Sequence, residues 1–274
     1  MRLTTKIILG IILSIFAIAL TFIIGFSFTD REKYNRSNLS AIDLPQDNMT
    51  GIELASFKTI LIDEFDLNSN GYNYGITDMC NIFFDSVPVD SNPDMLFIPD
   101  VLKEFISVNT SNDTLVVKLN LLDLGEKYRT EEHRFQSISG VNMHFNISKL
   151  DIVNKAPLSV IIKNVETDSI KIVSNGDIFI DSCKALLIDP QLLVSYRSLK
   201  VTNSDVKRID IDFDNIRNWN IENCNIEEEF FTGSGRHDII KHRNEASNIM
   251  WVPKNKDARL NIGIQGDTTQ IIIR

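Results

Sequence analysis

The sequence predicts an all-β protein: a β-solenoid with coils of about 20 residues, behind one N-terminal transmembrane helix. Three observations predict it. The run from Ile7 to Phe28 is apolar and carries no charge. Beyond residue 50, apolar and polar residues alternate in short stretches and helical spacing is nearly absent. Between Val160 and Cys224 one short pattern recurs at a regular interval. The alternative architecture is an antiparallel β-sandwich whose turns recur at similar spacing.

The apolar run comes first in the chain. A helix over its 22 residues is about 33 Å long, enough for a hydrocarbon core of about 30 Å. Arg2 and Lys6 precede it, and Asp30, Arg31, Glu32, Lys33 and Arg36 follow it. The positive-inside bias therefore puts residues 1–6 in the cytoplasm, residues 7–28 in the membrane as a signal-anchor, and the rest outside, periplasmic or at the cell surface. A cleaved signal peptide is the competing reading, with Gly25 and Ser27 as small residues near a cleavage point. On the anchor reading, no cytoplasmic signalling domain precedes the membrane.

Residues 29–50 are polar and weakly patterned, which reads as a linker. The extracytoplasmic domain then spans 51–274. Its first strands are expected at Phe57–Asp63, Met95–Ile98 and Asp113–Leu119, the last behind the turn signal Asn109–Asp113. Residues 122–135 carry Glu126, Lys127, Arg129, Glu131, Glu132 and Arg134, and read as a charged insertion or surface loop.

Repetition begins near Gly140. Val160–Val165, Ile178–Ser182, Leu199–Ser204 and Trp219–Cys224 share an apolar-x-apolar-x-Asn/Asp unit followed by a small or modest residue, the second with its Asp one place earlier. The anchors Asn164, Asp181, Asn203 and Asn223 recur on average every ~20 residues, the interval of a solenoid coil. Asn and Asp tolerate left-handed backbone and bond nearby amides, so they suit tight corners. One coil cannot bury its own inward face, whereas stacked coils bury a continuous apolar column.

Composition limits function. The net charge is −9, and the part outside the membrane is two units more acidic once Arg2 and Lys6 are set aside. Nucleic acid demands a basic footprint, so that class is excluded. Cys80, Cys183 and Cys224 contain no CxxC and do not form a disulfide framework. Cys183 and Cys224 are expected two coils apart, about 10 Å, at different offsets from their anchors, so no disulfide is expected.

Ala55–Ile60, followed later by Ile106–Asn112 and Asp113-Thr-Leu115-Val-Val-Lys118, resembles the opening strand and the turn-Thr-Leu-strand element of the GIN-domain family. These are adhesin-head-like domains of bacterial cell-envelope proteins. The resemblance spans about 50–274 and departs in one respect: Asn-Ser, Asn-Cys and Asp-Ser stand where the family has Ser-Gly-small turns. It implies a right-handed single-stranded β-helix and an envelope location, and it implies no established chemistry.

No catalytic, cofactor-binding or metal site is assigned. Asp210, Asp212 and Asp214 alternate with Ile209, Ile211 and Phe213, so in a strand they share one face about 7 Å apart. A straight strand does not converge ligands on Ca²⁺; a solvated face balanced by lysines such as Lys171 is expected. Glu227, Glu228 and Glu229 read as a solvated turn, since consecutive loop acids do not form a glycosidase pair. Gly233-Ser-Gly235-Arg236-His237 and Lys241-His242-Arg243 read as a surface loop interrupting the coils. His237 and His242 lack a zinc spacing, and His133 and His144 are isolated. Trp219 falls on an apolar repeat position and reads as core. Trp251, Tyr72, Tyr74 and Tyr128 are left open as core or sugar-stacking residues.

The function expected is a membrane-anchored binding or structural module, adhesin-like, whose partner is an envelope protein or polysaccharide. The alternative is an envelope carbohydrate-active enzyme on a β-helix scaffold, and a third reading is a periplasmic sensor or assembly partner.

Overall fold

The computed structural model describes residues 41–63, 68–69, 72–77, 80–85, 94–128, 135–147, 150–242, 246–265 and 270–273. The expected segments 1–6 and 7–28, and residues 29–40 of the expected linker, lie outside these. Among the described residues no helix is long and apolar enough to cross a membrane.

The all-β expectation holds. The N-terminal strands are β1 (Ala41–Asp43), β2 (Met49–Glu53), β3 (Thr59–Ile62), β4 (Asn68–Ser69), β5 (Tyr72–Ile76), β6 (Asn81–Asp85), β7 (Met95–Pro99), β8 (Ile106–Ser111) and β9 (Thr114–Leu119). Helix α1 (Leu121–Tyr128) comes next, followed by β10 (Phe135–Ser139) and β11 (Asn142–Asn146). β1 and the first two residues of β2 lie in the stretch read as linker, the strands pairing with β10 and β7. α1 replaces the charged loop expected from residue 122. Asn120 Oδ1 accepts the Asp123 amide at 3.1 Å as a cap, and Leu121 and Leu124 are buried.

From Leu150 to Gly233 the chain alternates between two large sheets, and beyond that between the ten-stranded sheet and a two-stranded one. The strands are β12 (Leu150–Asn154), β13 (Ser159–Lys163), β14 (Glu166–Ser174), β15 (Ile178–Asp181), β16 (Lys184–Leu192), β17 (Arg197–Thr202), β18 (Asp205–Asp212), β19 (Ile216–Glu222) and β20 (Asn225–Gly233). β21 (Arg236–His242), β22 (Ala246–Pro253), β23 (Arg259–Gln265) and β24 (Gln270–Ile273) follow. β12, β14, β16, β18, β20, β22 and β24 lie side by side in a ten-stranded sheet; β13, β15, β17 and β19 lie in an eight-stranded one. From β12 on, strands pair parallel with the strand two places on in the chain, except β19, which ends its sheet; β21 pairs with β23 in a separate two-stranded sheet. An antiparallel sandwich does not describe this region. Antiparallel pairs join β2 to β7, β7 to β11, β4 to β5 and β8 to β9, all N-terminal.

Register fixes the core. Ile170, Ile188, Ile209, Glu229, Ile249 and Ile271 form one row of the ten-stranded sheet. Ile178, Leu199 and Trp219 form a row of the facing sheet. Ile82, Phe84, Val160, Ile162, Ile170, Ile172, Ile180 and Ile211 are buried between the sheets. A fully buried side chain of this size contributes about 1.5–3 kcal/mol through apolar transfer.

The N-terminal end is threaded out of chain order. β3 sits between β9 and β12, and β6 sits between β11 and β13. β3 and β6 are thus inserted between elements that come later in the chain. The β8–β9 hairpin turns through Asn112 and Asp113, both at positive φ (49° and 60°), as a two-residue Asn-Asp hairpin requires.

Candidate functional site

Three surface features come from this stacking. The first is a repeated corner. Asn164, Ser182, Asn203 and Asn223 all have positive φ, 55°, 56°, 52° and 56°. Three of the four expected anchors therefore stand at the left-handed position. The exception is the second unit, where Ser182 takes it and Asp181 stands one row aside with Lys163 and Thr202. Asp181 Oδ1 accepts from Thr202 Oγ1 at 2.6 Å and Asn203 Nδ2 at 2.8 Å. These bonds hold its carboxyl below the usual range. Asn223 Nδ2 donates to Asn203 Oδ1 at 3.4 Å.

The residue after each corner turns inward: Val165, Cys183, Ser204 and Cys224 are all buried. Cys183 and Cys224 therefore share one offset, not two as expected. Ser204 stands between them, and Cys183 N donates to its Oγ at 3.1 Å. Two strand spacings hold the two cysteine backbones about 10 Å apart, too far to bridge. All three cysteines are buried and none forms a disulfide, and burial raises the Cys80 and Cys183 thiols.

The second feature is an open groove of about 530 Å³ across β14, β16, β18 and β20, lined by Glu166, Asp168, Lys184, Leu186, Asp205, Lys207 and Glu227 among others. Each long strand bends here and sets two successive residues outward. Leu186–Leu187, Lys207–Arg208 and Glu227–Glu228 are such pairs. Lys184 Nζ bonds Glu166 Oε1 at 2.8 Å. Leu186 stands in this charged strip 56% exposed. The bend also corrects the reading of the acidic run. Glu227 and Glu228 face solvent, but the shift of parity turns Glu229 inward, 1% exposed, into the isoleucine row.

The third feature is an ion cluster. The expected straight strand over 209–214 ends at Asp212. Phe213 turns inward, and Phe213–Asn215 forms a 3-10 turn in which Asp212 Oδ1 accepts from the Asp214 amide at 3.2 Å. The curl brings two of the three aspartates together on Lys254, whose Nζ is 2.5 Å from Asp212 Oδ2 and 2.7 Å from Asp214 Oδ2. Ser234 donates its amide and hydroxyl to Asp214 Oδ1 at 2.6 and 2.8 Å. Partial burial opposes ionisation of Asp214, but the bonds from Lys254 and Ser234 outweigh it and bring the carboxyl down to about 2. Asp210 is held apart by Arg208, at 2.6 and 3.1 Å. Lys171 lies in register with Asp151 and Asp189 instead.

The glycine- and histidine-containing stretch is not a loop throughout. Gly233 ends β20, and 236–242 form β21. His237 stacks on Phe213, ring centroids 5.1 Å apart, and meets Trp251 edge-on at 6.1 Å. Its Nε2 is 4.0 Å from Asp214 Oδ1. A Cβ on Gly233 would lie 2.7 Å from that nitrogen, so only glycine admits the ring. The side chains of Lys241, His242, Tyr72 and Tyr74 lie outside the described residues, as do Arg243 and His133. Trp219 packs edge-on against Phe213 and Phe231, as the core reading expects. Trp251 is buried, and Tyr128 is exposed beside Lys127. His144 stacks on Phe83 at 4.3 Å, and desolvation lowers its basicity. Among the described residues no group of His, Cys, Asp and Glu could hold a metal ion.

Residue types alone do not reveal the groove, because its members come from strands two places apart in the chain and only the parallel register joins them. The signal available is the register itself, through the recurrence of the anchors.

No family model matches the chain, and no curated protein matches it. Solved structures do. One is from Bacteroides fragilis and is named a "putative adhesin". It is 16% identical with a TM-score of 0.50, over 84% of this chain and 100% of that one. Another so named, from Parabacteroides distasonis, is 10% identical with a TM-score of 0.46, over 85% of this chain and 100% of that one. The first of these likenesses shows a shared fold.

Proposed function

We propose that this chain is a membrane-anchored, extracytoplasmic binding module, adhesin-like and of the GIN-domain type, built as a right-handed single-stranded β-solenoid. The parallel pairing of strands two places apart from β12 to β20, continued by β20–β22–β24 and by β21–β23, supports the solenoid. The apolar run 7–28 supports the anchor. The observation that carries the binding role is the groove over four strands, where charged residues recur at each step around the exposed Leu186. An extended polymer with cationic or hydrogen-bonding groups fits such a strip, because rungs about 4.8 Å apart repeat its contacts.

The carbohydrate-active enzyme reading needs converging charges left available to substrate. Among the described residues, the convergence at Asp212, Asp214 and Lys254 consists of groups bonded to one another and to Ser234. We therefore read the chain as non-enzymatic.

The test uses the full-length chain. Fractionation should recover it with membranes, and protease added to spheroplasts should cut it. Binding to purified envelope polysaccharides should be lost on reversing two groove acids, Asp168→Lys with Glu227→Lys. Recovery in the soluble cytoplasm, unchanged binding by that double variant, or release of new sugar ends on incubation overturns the proposal.

A further inference from the structure

One corner of the stack differs from its neighbours. Where other coils turn through Asn175-Gly-Asp177, Phe213-Asp-Asn215 or Gly233-Ser-Gly235, the coil between β16 and β17 turns through Leu193-Val-Ser-Tyr196. Leu193 is 48% exposed, Val194 38% and Tyr196 76%. The base of this turn is tied down. Leu193 N donates to Ser174 O at 2.9 Å, Asn215 Nδ2 to Leu192 O at 2.8 Å, and Ser198 N to Asp177 Oδ1 at 2.7 Å. Tyr196 itself has φ of 73°, a conformation uncommon for an aromatic residue. The result is a firmly based apolar tip with Arg197 beside it.

A matching socket lies at the other end of the eight-stranded sheet. Gln46, Met49, Asp85, Phe97, His144, Phe145 and Asn146 line a pocket of about 560 Å³, a size that takes a large side chain and an aliphatic neighbour. Its walls set Met49, Phe97, Phe145 and the His144 ring beside the polar Gln46 and Asn146. Its one carboxylate, Asp85, is exposed at the rim, opposite in sign to the single charge of the tip. The tip cannot fill the socket of its own molecule. β17 is four strands from β11 in the sheet order β17-β15-β13-β6-β11, about 19 Å at the usual strand spacing.

We propose that the tip Leu193–Tyr196 of one molecule seats in the Met49–Phe97–His144 pocket of a second copy, with Arg197 meeting Asp85. The contact is heterologous: two different surfaces of the same chain are used, so each copy keeps a tip and a socket available for further copies. Molecules bound this way form rows or rings in the plane where they are held. This goes beyond the ligand reading and uses none of the groove residues.

Proximity cross-linking tests it. Two differently tagged full-length copies are co-expressed, one with Ser195→Cys and the other with Asn146→Cys, and treated with a short bis-maleimide. The native cysteines are buried and do not compete. A mixed-tag product is expected, in large excess over the products of either variant alone. Tyr196→Ser in the first copy should lower its yield roughly tenfold or more, as for an aromatic hot spot. Arg197→Glu should do likewise, and Asp85→Arg in the second copy should restore the product. A product dominated by Ser195→Cys copies joined to each other would mean a symmetric contact and overturn the proposal. So would absence of the mixed product, failure of the charge reversal to restore it, or a tip that inserts into lipid vesicles.

Discussion

Lys254 Nζ lies 2.5 Å from Asp212 Oδ2, although 42 residues separate them in the chain. Asp212 ends β18 and Lys254 follows β22, so the lysine reaches across the whole turn that ends β20. Small residues at that turn, Gly233-Ser-Gly235, leave the path clear. Ser234 adds two bonds to Asp214 on the way. One cation therefore fastens three successive turns of the stack.

Removing that cation should loosen the C-terminal turns. Lys254→Met keeps the stem and deletes the charge. The pair is partly exposed, so the loss is about 1–2 kcal/mol rather than the larger figure for a buried pair. At the size of this chain that lowers Tm by several degrees, read by thermal melting at neutral pH.

The same cluster predicts an acid limb. Asp214 is depressed to about 2 from an ordinary 3.8. A carboxyl with a lowered folded-state pKa stabilises the fold fully above its unfolded value and loses that contribution as pH falls through the folded value. Denaturant melts of the wild type should therefore show stability falling between about pH 4 and pH 2. Asp214→Asn should flatten that limb, and an unchanged slope in the variant would show that other carboxyls set it.

Gly233 and His237 should behave as a coupled pair. A Cβ at 233 would meet His237 Nε2 at 2.7 Å and Trp251 Cη2 at 3.1 Å. Gly233→Ala is expected to cost about 1–3 kcal/mol, as overpacking does. Adding His237→Ala should recover part of that loss, because the two share one space. Simple additivity in chemical denaturation would count against the contact.

Much of this fold is legible because the stacking repeats it. The anchors Asn164, Asn203 and Asn223 sit at left-handed corners, and Asn is the residue that announces such corners from sequence. Ser182 escapes notice because serine carries no such signal, and Asp181 beside it carries a false one. The N-terminal threading is illegible for a different reason. β3 and β6 are inserted between later strands, and local alternation says nothing about which strand becomes a neighbour. The ion cluster is hidden because Phe213 stays on the buried face, so the side chains read as uninterrupted alternation while the backbone already curls into the 3-10 turn Phe213–Asn215. The run Glu227–Glu229 misleads because a bend between outward residues changes parity, and nothing in three identical side chains marks where the bend falls.

Glu229 gives the sharpest test of that register. It occupies the row Ile170, Ile188, Ile209, Ile249 and Ile271, and is 1% exposed. Taking a carboxylate out of water is costly even where it is hydrogen-bonded, and a well-packed apolar replacement of similar volume is often stabilising by about 1–4 kcal/mol. Glu229→Ile completes the row and should raise Tm by several degrees, whereas Glu228→Ile, one residue away and facing solvent, should leave it nearly unchanged. A slip of one residue would exchange the two outcomes, because adjacent residues of a strand face opposite sides. Melting the two variants side by side therefore reads directly which of the glutamates faces the core.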